Sequence, residues 1–190
     1  MSRAAIELLV ARGVIGTTLA AIGEKAGYSR GLVTHRFGSK AGLLAHVVEF
    51  VGAEWRRRLN SAVAARSGLA AIRGAIDALA AFIAEEPHDL RVMYLLWFQS
   101  IDPGAEYRAN VAAVHAAQRR DLEAWVTQGQ RAGKIRRGVD PQRVATMLAA
   151  SIAGLVFHWL VTPELPIADL HRQLKRDVNR LLAAKRERRS

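Results

Sequence analysis

Cysteine is absent from the 190 residues, which excludes a disulfide scaffold, thiol catalysis and cysteine-ligated zinc. Acidic side chains are scarce, with 17 Asp and Glu against 28 Lys and Arg for a net charge of +11. The excess is uneven along the chain. Residues 1–46 carry six basic against two acidic residues (+4), residues 47–170 carry 14 against 13 (+1), and residues 171–190 carry eight against two (+6). Basic ends around a neutral body suggest that an end meets a polyanion while the middle does something else. No signal-peptide pattern is present, because Glu7 interrupts the first apolar stretch and no small-residue cleavage site follows. The six histidines form no His-Glu-x-x-His or comparable ligand set, so no metal or cofactor is expected. Val144 to Val161 is the only run without a formal charge that approaches membrane-spanning length. Thr146, Ser151 and His158 lie inside it, and it reads better as a helix covered by protein in a soluble chain.

At 51% hydrophobic and 24% charged residues the composition is that of an ordinary globular protein, long enough to bury a core unaided. No half-buried strand pattern is found. Leu69, Ile72, Ile76, Leu79, Phe82 and Ile83 recur at helical spacing, as do Val111, Val114, Leu122, Trp125 and Val126. Breaks at Gly13 to Thr17, Gly27 to Ser29, Gly38-Ser39, Ser67-Gly68, Pro87, Pro103-Gly104, Gly138 to Pro141 and Pro163 to Pro166 leave about nine helices, an all-α fold. The tail Lys185 to Ser190 is expected to be a solvated end.

Two chemical motifs fail on context. Gly27-Tyr28-Ser29-Arg30-Gly31 has the spacing of a hydrolase nucleophile elbow, but that elbow needs a preceding strand, and Leu19 to Ala26 is a helical pattern. Gly129-Gln130-Arg131-Ala132-Gly133-Lys134 is one residue short of a phosphate loop and follows a helix. The first stretch makes better sense as a turn between short helices. Thr18 is positioned as N-cap of a helix over Leu19 to Ala26, Gly27 as its left-handed terminator, Ser29 as the next N-cap and Gly38 as the next stop. This is helix-turn-helix grammar. Val33 and Phe37 share one face of the second helix, while Gly31, Leu32 and His35 point away from it and Arg30 leads it.

Thr17-Thr18-Leu19-Ala20-Ala21-Ile22-Gly23, followed by Ala26 through Lys40 and then Ala41-Gly42-Leu43-Leu44, resembles the DNA-binding region of the tetracycline-repressor (TetR) family. Gly133-Lys134-Ile135-Arg136 with Val139-Asp140-Pro141, Val144-Ala145 and Gly154-Leu155 resembles the junction into the penultimate helix of that family's regulatory domain. The resemblance implies two domains: an N-terminal three-helix DNA-binding domain over 1–46, and an effector-binding and dimerisation domain over 47–190. It departs from the family pattern at Thr34, where a tyrosine usually meets DNA, at Arg36, where histidine or tyrosine is usual, and at Ala20, where many relatives are polar or basic. The chain begins almost at the start of the family's first helix, and either a late start codon or a true truncation would remove a basic minor-groove arm.

The expected activity is that of a cytoplasmic, ligand-responsive repressor binding a palindromic operator as a homodimer, with no enzymatic role. The alternative is a helical ligand-binding module of the same fold without sequence-specific readout. Arg30, Gly31, Leu32 and His35 are expected at base edges, and Thr18, Thr34, Arg36 and Lys40 at phosphates. The resemblance implies pairing through the last two helices. Ala149, Ala150, Ala153 and Gly154 there form a small-residue seam, flanked by Leu155, Phe157, Trp159 and Leu160. The aromatic residues Tyr94, Trp97, Phe98, Trp125 and Phe157, with Gln99 beside the first three, are the expected lining of a site for a small hydrophobic or aromatic effector.

Overall fold

Local capping signals set the first half of the chain, and the computed structural model, which describes residues 1–184, contains nine helices among those residues. They are α1 (Ser2–Gly16), α2 (Leu19–Ala26), α3 (Arg30–Phe37), α4 (Lys40–Val63), α5 (Gly68–Glu85), α6 (Pro87–Gln99), α7 (Arg108–Arg131), α8 (Pro141–Val161) and α9 (Ile167–Leu182). No strand occurs among the described residues; a lone antiparallel bridge joins Ile135 to Ala183. The all-α expectation holds, and α2 runs over the residues the sequence marks. The solvated tail expected from Lys185 onward lies outside the described residues. The break expected from Gly13 is a kink: Gly13 takes φ 67° inside α1, and the helix resumes to Gly16.

The helices fall into two compact units. The first holds Met1–Arg56 and Phe82–Val114. Its α1 lies against α2 and α6, and Ile6, Leu9, Ile22, Val33, Leu43, Val47 and Leu96 are fully buried. Helices as short as α2 and α3, eight residues each, are not stable alone, so caps and this shared core hold them. Their glycines permit the close approach. A Cβ on Gly23 would lie 2.7 Å from the Tyr28 carbonyl oxygen, and one on Gly42 would fall on the carbonyl oxygen of Phe37. Backbone cannot yield as a flexible side chain does, so Gly42→Ala is expected to cost about 1–3 kcal/mol. Its thermal midpoint should fall by several degrees, while Gly31→Ala, whose Cβ meets only Ser29 Oγ at 3.8 Å, should melt like the parent.

The second unit holds Arg57–Ala81 and the residues from His115 on. Ile72 and Ile76 of α5, Leu122 and Val126 of α7, Ala145 and Leu148 of α8, and Val178 and Leu182 of α9 form its core around Ile135. Ile135 packs directly on Gly129, which explains a glycine within α7 without any phosphate chemistry. Asp140 caps α8 by accepting the Gln142 and Arg143 N–H groups. By length and composition α8 is the one helix among the described residues apolar enough to cross a membrane. Only Ala145, Leu148 and Val156 of it are fully covered, whereas Met147, Ala150, Phe157 and Val161 are exposed along one side.

Candidate nucleic-acid interface

The turn between α2 and α3 is built from caps that satisfy its backbone donors. Thr18 Oγ1 accepts the Ala21 N–H at 3.1 Å and Ser29 Oγ accepts the Leu32 N–H at 3.2 Å. Gly27 closes α2 in the left-handed region, φ 72° and ψ 28°, and the Tyr28 N–H reaches back to Gly23 O at 2.8 Å. Gly38 ends α3 at φ 71°, and Ser39 Oγ then accepts the Gly42 N–H at 3.0 Å to start α4. The Ser29 that a hydrolase would use as nucleophile is thus spent as a cap after a helix.

These caps fix the outward face of α3. Val33 is its only fully buried side chain; Arg30, Gly31, Leu32, Thr34, His35 and Arg36 are all exposed. Leu32, 46% exposed, has nothing in its own helix to cover it. Thr18, Arg30 and Lys40 come together around an open cleft of about 360 Å³, shared with Thr17, Leu19 and Ala20. Lys40 Nζ donates to Ile15 O at 3.2 Å, which orients the ammonium and leaves two of its three donors for another acceptor. The surface therefore offers cations at the start of α3, at its end and in the adjoining cleft, with a small apolar centre. That combination suits phosphates at the edges and base edges in the middle.

Behind this face runs a set of contacts that sequence reading misses. The Arg36 guanidinium lies over Phe37, 5.6 Å from the ring centre, and Phe37 meets His46 of α4 at 5.1 Å. His46 hydrogen-bonds Ser2 Oγ at 2.9 Å and stacks with Phe50 at 6.3 Å. Arg3 of α1 sits over Phe50 at 5.4 Å, donates to the buried Asp89 of α6, and lies 3.8 Å from Glu86. Burial pushes the Asp89 carboxyl above its usual range, while Arg3 pulls it back. The pairs are separated by 86 and 44 residues, and no local motif announces either.

Burial, and for His46 also Arg36, holds the imidazoles of His46 and His171 below their ordinary value of 6.5. His171 is buried in α9 with neither ring nitrogen hydrogen-bonded. The folded state thus favours neutral rings, and the unfolded chain takes up protons first as pH falls. This contribution to stability is complete above about 6.5 and shrinks as pH drops below it. Thermal unfolding at pH 5.5 should occur at a lower temperature than at pH 7.5, and His171→Leu should flatten the difference. A midpoint independent of pH would contradict the assignment.

The expected ligand residues divide between the two units. In the first, Tyr94 is buried on α6, with Trp97 at 4.9 Å and the exposed Phe98 at 6.4 Å between ring centres. Tyr107 Oη donates to Gln99 Oε1 at 3.2 Å, tying the start of α7 to the end of α6. Burial pushes the Tyr94 hydroxyl well above its ordinary range. In the second unit, Trp125 packs against the α5–α7–α8–α9 core and Phe157 stands exposed on α8, edge-on to His158 at 5.7 Å. The seam residues Ala150, Ala153 and Gly154 share that exposed or half-exposed side of α8, and a Cβ on Gly154 would meet nothing within 4 Å.

Comparison with known proteins agrees with this arrangement. Residues 3–47 match the family described as bacterial regulatory proteins, tetR family, and residues 68–183 match the BetI-type transcriptional repressor, C-terminal family. The chain is 29% identical over 178 residues to the HTH-type transcriptional regulatory protein RaaS of Mycobacterium tuberculosis, covering 90% of this chain and 74% of RaaS. It superposes on SmeT, the repressor of the Stenotrophomonas maltophilia multidrug efflux pump SmeDEF, with TM-score 0.79 and 24% identity over 98% of this chain and 89% of that one. A SmeT–triclosan complex superposes with TM-score 0.74 and 26% identity over 97% and 90% of the two chains.

Proposed function

The chain belongs to the TetR family of bacterial transcriptional regulators, and from that premise we propose that it is a cytoplasmic, ligand-responsive repressor that binds a palindromic operator as a homodimer and catalyses no reaction. Residues 1–46 carry the DNA contact and residues 47–190 carry the effector site and the dimer contact. The observation that supports this reading best is α3, a helix with one buried residue and six exposed ones, Arg30 and Arg36 among them, with Lys40 in the adjoining cleft. Arg30, Gly31, Leu32 and His35 meet base edges; Thr18, Thr34, Arg36 and Lys40 hold phosphates. Arg36, where histidine or tyrosine is usual in the family, offers a fork that can grip phosphate in two places.

The exposed side of α8 is the dimer face. An apolar stripe through Met147, Ala150, Gly154, Phe157 and Val161 is costly in water, and a second copy covers it with backbones brought close at Gly154. This accounts for the uncharged run without a bilayer. The effector is a small hydrophobic or aromatic molecule held at Tyr94, Trp97 and Phe98, with Trp125 and Phe157 as the further candidates; the triclosan bound by SmeT is a ligand of that chemical kind. It acts by favouring one arrangement of the two DNA-binding heads, since a ligand shifts an equilibrium only through differential affinity for its states.

Tryptophan fluorescence titrated with a panel of hydrophobic compounds, read alongside operator release, tests this. A ligand that quenches and releases together is expected. Quenching with DNA affinity untouched would remove the coupling, and Trp97→Ala binding the effector normally would remove the site.

A further inference from the structure

The second unit carries a basic surface that the operator-reading helix does not explain. Between α7 and α8, residues 131–143 hold Arg131, Lys134, Arg136, Arg137 and Arg143 against the single acid Asp140. The loop is held in shape. Gln130 Nε2 donates to the carbonyls of Arg136 at 3.0 Å and Val139 at 2.8 Å, and Ile135 is buried beneath it. The bridge to the end of α9 fixes its outer edge: Arg136 N–H donates to Leu182 O at 2.9 Å and Ala184 N–H to Lys134 O at 3.0 Å. That pairing brings the last turn of α9, with exposed Arg180, beside Lys134 to Arg137.

Asp140 is committed to capping α8 and to Arg143, and Asp177 accepts from Gln173. Among the described residues no carboxylate lies within ion-pair distance of Arg131, Lys134, Arg136, Arg137 or Arg180, and all five are exposed. Like charges gathered on a rigid loop repel one another unless a polyanion screens them.

We propose that this surface binds the phosphate backbone of a DNA duplex, without sequence preference and separately from α3. Arginine outnumbers lysine four to one among these five cations, and its planar fork suits phosphate oxygens. No aromatic side chain stands exposed in the patch, as the core of a protein interface commonly requires. Leu181 is its one exposed large apolar residue, too little for a membrane-inserting face. The choice of DNA among polyanions rests on the chain being a DNA-binding regulator; the patch itself does not depend on which operator α3 reads.

The test uses the full chain and four forms: parent, a patch variant with Arg136→Gln, Arg137→Gln and Arg180→Gln, a head variant with Arg30→Ala and Arg36→Ala, and the two combined. Binding to a long random duplex is measured from about 50 to 200 mM salt, the range over which phosphate contacts are resolved. The patch variant should lose two to three units of the slope of log affinity against log salt, since each phosphate contact contributes about 0.9. The head variant should retain residual binding to the random duplex, and the combined form should lose it. Replacing the same three arginines by lysine should restore most of the slope, which separates charge from folding.

An unchanged slope in the patch variant, with the parent still binding its operator, would overturn the proposal and leave the regulator reading intact. Loss of binding to phosphatidylserine-containing vesicles without loss on DNA would overturn it in favour of a lipid surface. A parent that binds no duplex at all would overturn both.

Discussion

Gly154→Glu is expected to give a folded chain that no longer dimerises and binds its operator at least about 100-fold more weakly, through loss of the linked second half-site. The space around Gly154 makes the experiment informative. Beyond its own stretch of helix, a Cβ there meets nothing within 4 Å, so the protomer leaves room for a side chain at this position. In the proposed dimer, where α8 of one protomer meets α8 of the other, it places a carboxylate beside the exposed Ala150, Phe157 and Val161. An unpaired charge buried in such a seam costs several kcal/mol, enough to move a dimer to monomers at ordinary concentrations. Sedimentation should show monomers with an unchanged helical signal. A dimer of undiminished operator affinity would mean that the chains pair elsewhere.

Arg30→Ala and Lys40→Ala should both weaken operator binding, but in different ways. Arg30 opens α3 on its exposed side, and a bidentate contact from arginine to guanine is worth roughly 1–3 kcal/mol of discrimination. Its loss should relax preference at one position of each half-site while random duplex is bound nearly as before. Lys40 lines the same cleft as Arg30, is tethered to Ile15 O, and is the residue proposed to hold a phosphate. Its removal should weaken every duplex alike and reduce the salt slope by about one. Equal effects of both substitutions on operator and random duplex would dissolve the division into base and phosphate contacts.

How much of this was legible in sequence follows from the range of the signals. Thr18, Gly27, Ser29 and Gly38 act on backbone groups within four residues of themselves, so the limits of α2 and α3 and the exposed side of α3 can be read from the residues alone. The exposure of α8 follows less directly. Thr146, Ser151 and His158 speak against a bilayer, but an uncharged run suits a core and a dimer seam alike, and only the burial pattern shows that Met147 and Val161 face outward. Tertiary contacts carry no local mark. Arg3 meeting Asp89, His46 between Phe37 and Phe50, and Ile135 lying on Gly129 depend on which helices pack together. Aromatic type does not tell burial either: Trp125 packs on the core of the second unit, whereas Phe98, one turn from Tyr94, stands exposed. The basic α7–α8 loop shows as charge in the sequence, but the bridge that sets it beside Arg180 does not.

The most direct test of the central claim is a competition titration at fixed salt, in which a palindrome from the promoter beside the chain's own gene competes with a random duplex of equal length. A sequence-reading homodimer should prefer the palindrome by at least about 10³, should bind it as two chains per site, and should lose most of that preference with Arg30→Ala. A ratio near one for every segment of the upstream region, with the protein folded and dimeric, would contradict it.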